Sequence, residues 1–212
     1  MLTTIAGIPI PDSTIAREAT ELVRKAADDL LYDHSRRVYL WGSLKARHRG
    51  LTVDPELAYV GAMFHDLGLT SKYATTSRRF EIDGAELAHA FLLNHGYGED
   101  EARSVWLAIA LHTTPEVPAH LGANVHVVTL GVETDVLGLE LDEISARDRE
   151  AVVAAHPRPD FKNRIIDAFY HGMKDRPDTT FGTMNDDVLA ARDPSFRRID
   201  FVELIHANAW PE

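Results

Sequence analysis

The run Asp54-Pro-Glu-Leu-Ala-Tyr-Val-Gly-Ala-Met-Phe-His65-Asp66-Leu-Gly68 carries helix signals at both ends. Asp54 suits an N-cap, because its carboxylate can accept from backbone N–H groups that a helix start leaves unpaired. Pro55 fits the first turn, where its missing N–H removes no helical bond. Leu57, Val60, Gly61 and Phe64 recur at helical spacing and mark a buried face. Gly68 reads as the stop just past the end. His65 and Asp66 then fall in the last turn, where the chain can bring two adjacent polar side chains to one point.

The flanking sequence continues the helical pattern. Ile5 to Pro11 reads as an extended lead-in with two prolines. Asp12 or Ser13 caps a helix with Ile15, Ala19, Leu22, Ala26 and Leu30 on one face, and a second helix carries His34, Val38, Trp41 and Leu44. Residues 70–82 are polar, include Lys72, Arg78 and Arg79, and read as a loop. Helices follow over 83–95, closed by Gly96, and over 99–111, delivering His112 just before Thr113-Thr-Pro115. Segment 124–137 is rich in Val, which propensity alone could make a strand. Val128, Val132 and Asp135 share a helical face and Gly138 follows, so a buried helix is expected. Helices over 143–155 and 161–174 flank His156-Pro-Arg-Pro159, a loop covers 175–187, and short helices fall near 187–192 and 201–209. The expected fold is all-α, one compact domain over 1–212 with a core at about 12–175 and a tail from 176.

Composition narrows the chemistry. There is no Cys among 212 residues, so disulfides, thiolate metal sites and Cys nucleophiles are excluded. Any metal must use His, Asp, Glu or water, and 11 His residues are available. A formal net charge of -11 disfavours nonspecific binding to nucleic acid or anionic membrane. No stretch of about 18 apolar residues is present and no signal peptide is evident, so a cytoplasmic location is expected. Oligomeric state is not readable.

His65-Asp66 alone is a weak motif, since a chain this rich in His supplies such a dipeptide by chance. Its position at a helix end gives it weight. Asp135 adds more, because a carboxylate in an apolar helix is costly unless paired or bound to a cation. A structural ion pair explains Asp135 as well as ligation does, and a hydrogen-bonded core histidine is the commoner role for His34.

The order His34, His65-Asp66, Asp135, with 31 residues across the first gap and 69 across the last, resembles the signature of the HD-domain superfamily of metal-dependent phosphohydrolases. More narrowly, five collinear segments are similar to HD-type cyanamide hydratases. They are His34-Ser-Arg-Arg-Val-Tyr-Leu-Trp-Gly42, Phe64-His-Asp-Leu-Gly68, Phe80-Glu-Ile-Asp-Gly84, Ala108-Ile-Ala-Leu-His112 and Asp135-Val-Leu-Gly138. The resemblance implies an HD-type helical bundle with a metal held by His34, His65, Asp66 and Asp135. Dinuclear members carry a histidine where this chain has Phe80, which implies one metal. The implied cofactor is one divalent transition ion, Zn first, with Fe or Mn as alternatives.

Such an ion activates water. His112 is the candidate proton shuttle beside Asp66, and Lys72, Arg79 and Thr113 are candidate substrate contacts. The resemblance implies a hydratase or hydrolase acting on a small molecule of nitrile or cyanamide type. The chain departs from the fungal hydratases at Thr113-Thr114, where those carry acidic residues. A phosphohydrolase is the alternative, although Leu67-Gly-Leu-Thr70 lacks the Glu of nucleotidase-type members. A non-catalytic metal- or ligand-binding regulatory domain is the third reading.

Overall fold

A computed structural model describes residues 3–210. A two-residue hairpin, β1 (Thr4–Ile5) with β2 (Ile8–Pro9), precedes helix α1 (Thr14–Ala26). Ser13 caps α1, its Oγ accepting from the Ala16 N–H at 3.3 Å. The apolar pattern suggested that this helix runs on to Leu30. The chain instead breaks at Ala27, because Asp28 caps a second helix by accepting from Leu31 N–H at 3.0 Å. That helix is α2 (Asp29–His48), followed by α3 (Pro55–Phe64), whose Asp54 cap accepts from Glu56 and Leu57.

α3 ends at Phe64, so His65 and Asp66 lie just beyond the helix, followed by a 3-10 turn over Leu67–Leu69. Gly68 does not serve as a left-handed stop; it sits inside this turn. Its role is close approach, since a Cβ there would overlap the Phe80 carbonyl. Next come α4 (Phe80–Asn94), starting three residues earlier than expected, and α5 (Glu99–Ala110). The Val-rich segment is the buried helix α6 (Ala123–Val132). It runs into one π-type turn, Glu133–Leu137, closed by Gly138 at φ 70°. α7 (Ala146–Ala155), α8 (Phe161–Met173), α9 (Asn185–Arg192) and α10 (Phe201–His206) complete an all-α fold.

α3 is the central post of the core: every residue from Leu57 to Phe64 is buried. α2 and α6 pack closely against each other, because Gly42 lies against the Val127 backbone and Gly131 against the Val38 carbonyl. These paired contacts set His34 on α2 against the turn after α6. A methyl group has nowhere to go at either glycine. Gly131→Ala is expected to cost about 1–3 kcal/mol, read from the urea midpoint.

Two smaller apolar clusters fasten the later helices over this core. Leu30 and Leu31 meet Phe161 and Ile165, while Leu69 and Phe80 meet Met173 and Leu189. Between them Arg176 is buried and acts as a staple. Its guanidinium donates to the Gly68 carbonyl at 2.6 Å and the Arg78 carbonyl at 2.8 Å, and pairs with Asp83 at 2.6 Å. No described helix is long and apolar enough to cross a membrane.

Candidate metal centre

Three segments bring polar side chains to one buried point. His34 comes from the first third of α2, and His65-Asp66 from the turn after α3. His112 follows α5. The Nε2 atoms of His34 and His65 are 3.2 Å apart. Asp66 Oδ2 lies 3.2 Å from the His65 Nε2 and 3.5 Å from that of His34. His34, His65 and Asp66 each offer a ligand atom, all within 4.8 Å of one another, and form the one such group among the described residues. His112 Nε2 approaches from the other side, 3.7 Å from Asp66 Oδ1.

Hydrogen bonding on the far side of each ring fixes what the near side can do. His65 Nδ1 lies 2.7 Å from the Ala62 carbonyl, and His112 Nδ1 lies 2.7 Å from the Ile109 carbonyl. A carbonyl can only accept, so Nδ1 carries the hydrogen in both rings. In a neutral imidazole the other nitrogen is then a bare lone pair. His34 Nδ1 donates likewise to Asp135 Oδ2 at 2.7 Å. Two lone pairs at 3.2 Å cannot bond to each other; a cation between them can satisfy both. Asp66 is buried with both oxygens unpartnered, and so is His112 Nε2. Buried polar atoms are rarely left so. The donor set of imidazole and carboxylate fits a divalent transition ion.

The electrostatics favour the neutral form of two of the three rings. Burial lowers the pKa of His34 in spite of Asp135, and takes that of His112 down to about 4. Both rings are therefore neutral near pH 7, the form that ligates metals. Burial also opposes charge on His65, but the adjacent Asp66 carboxylate overrides it and raises the pKa. Burial pushes Asp66 upward, yet His65, His34 and His112 hold it well below the usual carboxylate range.

Asp135, expected from sequence as a fourth ligand, stands apart from this convergence. Its carboxylate sits behind His34, on the Nδ1 side, and both oxygens are occupied. Arg37 Nε and Nη2 reach it at 2.9 Å, and Trp41 Nε1 donates at 2.8 Å. Arg158 Nε stands 3.3 Å away, and its guanidinium also bonds the Asp135 carbonyl. The carboxylate thus orients the imidazole and raises its basicity, as such partners do around metals. Asp135→Asn is expected to weaken metal affinity about 10–100-fold, measured by competition with a chromogenic chelator. Complete loss of binding would return Asp135 to the ligand set.

The substrate contacts expected from sequence divide three ways. Thr113 lines a cavity of about 170 Å³ that opens beside His112. Its hydroxyl is already engaged, donating to Glu81 at 2.6 Å. Arg79 is bound to the same Glu81 at 2.7 Å and does not line the cavity. Lys72 is a correction: it lies in a separate groove with Thr14, Glu18 and Glu21 of α1, its ammonium over the Tyr73 ring. The loop after Thr70 folds back toward α1, carrying Lys72 away from the centre. Arg78 pairs with Asp83 at 3.1 Å.

Sequence reasoning missed Glu81. It is fully buried and gathers Arg79, Thr113 and Asn185 into one network behind His112. A carboxylate in the first turn of an apolar helix was the available signal. Phe80 packs edge-on against His112, ring centroids 5.6 Å apart.

These features define a buried His/Asp metal centre in an all-helical bundle. The chain belongs to the HD-domain family, whose model matches residues 31–155. That family consists typically of metal-dependent hydrolases that bind divalent ions, and the match spans His34, His65, Asp66, His112 and Asp135. No curated protein matches the chain.

Proposed function

We propose that the chain uses one divalent ion, held by His34, His65 and Asp66, to direct water onto a small uncharged substrate of nitrile or cyanamide type. One observation carries this reading: His34, His65 and Asp66 converge, with both Asp66 oxygens and His112 Nε2 unpartnered, beside a cavity that no Lys or Arg lines. Zn is the first candidate for the ion, and Phe80 favours a single metal. A bound divalent ion supplies Lewis acidity, which brings the pKa of water toward neutral.

The chain's own groups would do the rest. His112 touches both the centre and the cavity, and Ile109 fixes its tautomer, leaving Nε2 free to accept a proton. For a nitrile, the water oxygen bonds to carbon and one proton passes to His112 Nε2. That proton then goes to the substrate nitrogen. The remaining hydroxyl proton shifts from oxygen to nitrogen, giving an amide, or urea from cyanamide. Glu81 steadies Thr113 directly after His112 and so keeps the ring in place. Burial of the centre excludes bulk water and strengthens these contacts.

The test is amide release from nitriles and urea release from cyanamide, run beside a panel of phosphate esters, with and without metal. Metal-dependent amide or urea formation lost in His65→Ala, with no phosphate release, is expected. Lys72→Ala should leave turnover unchanged. Phosphate release without amide formation would replace this reading with a phosphohydrolase. A purified chain without metal, indifferent to chelator, would leave a regulatory domain.

A further inference from the structure

The cavity beside His112 has a chemical character of its own. Its walls are Val132 from the end of α6, Val136 from the turn after it, Ile165 and Phe169 from α8, and Val188 from α9. Of its polar lining, Thr113 and Asn185 each commit a donor to Glu81, at 2.6 and 2.9 Å. The one charged lining residue is Glu133, a carboxylate, which repels anions. A phosphate or carboxylate group would need Arg, Lys or converging N–H donors. None lines this space.

Size narrows the occupant further. The volume is about 170 Å³. An apolar cavity of roughly 150 Å³ in another protein stays dry and takes up benzene. Cyanamide itself, three heavy atoms without an apolar part, would leave such a space unfilled. Water gains little there, because a water molecule needs two or more polar partners.

We propose that this cavity is the specificity pocket of the metal centre and takes an uncharged apolar substituent of about benzene size, carried on the carbon that water attacks. The preferred substrates are then aryl or branched-alkyl compounds rather than cyanamide or phosphate esters. The inference rests on the reading of His34, His65 and Asp66 as the reacting centre, since that is what makes the neighbouring cavity a substrate pocket. Selectivity comes from burial of the apolar group, which excludes charged analogues by desolvation alone.

The experiment uses the full metal-loaded chain with toluene as the probe, titrated by ligand-observed NMR. Saturable one-to-one binding is expected. Val188→Trp and Val136→Trp, which enlarge two lining residues from different elements, should each weaken it at least about tenfold. Unchanged circular dichroism and metal content establish that each variant is folded, and Lys72→Ala should bind toluene like the parent. Absence of saturable binding, or parental affinity in both filled variants, overturns the proposal. Turnover of benzonitrile and acetonitrile separates this inference from the reaction itself. Toluene binding lost on filling, with neither nitrile consumed, keeps the apolar pocket and removes the reaction class. Hydration of acetonitrile without toluene binding keeps the reaction and removes the pocket.

Discussion

Asp66→Asn is expected to abolish both metal binding and turnover. The carboxylate is buried, and neither oxygen accepts a hydrogen bond from the protein. In the holoprotein the ion satisfies those oxygens. Replacing the carboxylate with a neutral amide removes the one anionic member of the convergent group. Metal content should fall from about one equivalent to near zero. Loss of several kcal/mol of transition-state stabilisation corresponds to about 10³-fold or more in rate. After chelation the variant should unfold at lower urea than the parent, because the neighbouring imidazoles hold the Asp66 carboxylate below its usual range and so favour its charged form in the fold. With metal present, the parent gains stability by mass action, about 4 kcal/mol at a thousandfold excess over the dissociation constant. Elemental analysis, turnover and paired urea curves read all of this. A metal-free variant more stable than the parent would mean that these imidazoles do not offset burial of the carboxylate.

Arg176→Met should be the most damaging change to stability outside the metal site. Arg176 and Asp83 are both buried, and the ion pair joins the end of α8 to the start of α4. Removing the cation strands Asp83 among Thr75 and the half-exposed Arg78. Breaking a buried pair from one side costs about 3–5 kcal/mol. The carbonyls of Gly68 and Gly172 lose their donor as well. Adding Asp83→Leu should restore part of the loss, since an apolar pair leaves no buried charge behind. Arg78→Ala, on the exposed side of the same carboxylate, should shift the urea midpoint by no more than about 0.5 kcal/mol. Gly68 stands two residues after Asp66, so Arg176→Met should also weaken metal binding by loosening that turn.

The expected elements were right where the signal was local. Ser13 and Asp54 start helices because their side chains satisfy N–H groups two or three residues away. Asp28 carried the same signal, which the unbroken apolar pattern through Leu30 concealed. The Val-rich segment is helical in spite of its β-branched composition, since it is buried on all sides between α2, α3 and α5. Gly68 and Gly131 are glycines for a reason no local rule contains: another segment's carbonyl lies where a Cβ would go.

The site divides along the same line. Adjacency in the chain and the helix end before them bring His65 and Asp66 together, and the lack of Cys limits the ligand chemistry; these follow from sequence alone. The tertiary structure alone decided that Asp135 backs His34, held by Arg37 from 98 residues away, and that Arg176 clamps Asp83 across 93. It also carried Lys72 out of reach and left an apolar space beside His112. Caps and periodicity act over a single turn, so they can be read in order along the chain. Charge pairing and cavity shape depend on which helices meet, and that is settled only when the core packs.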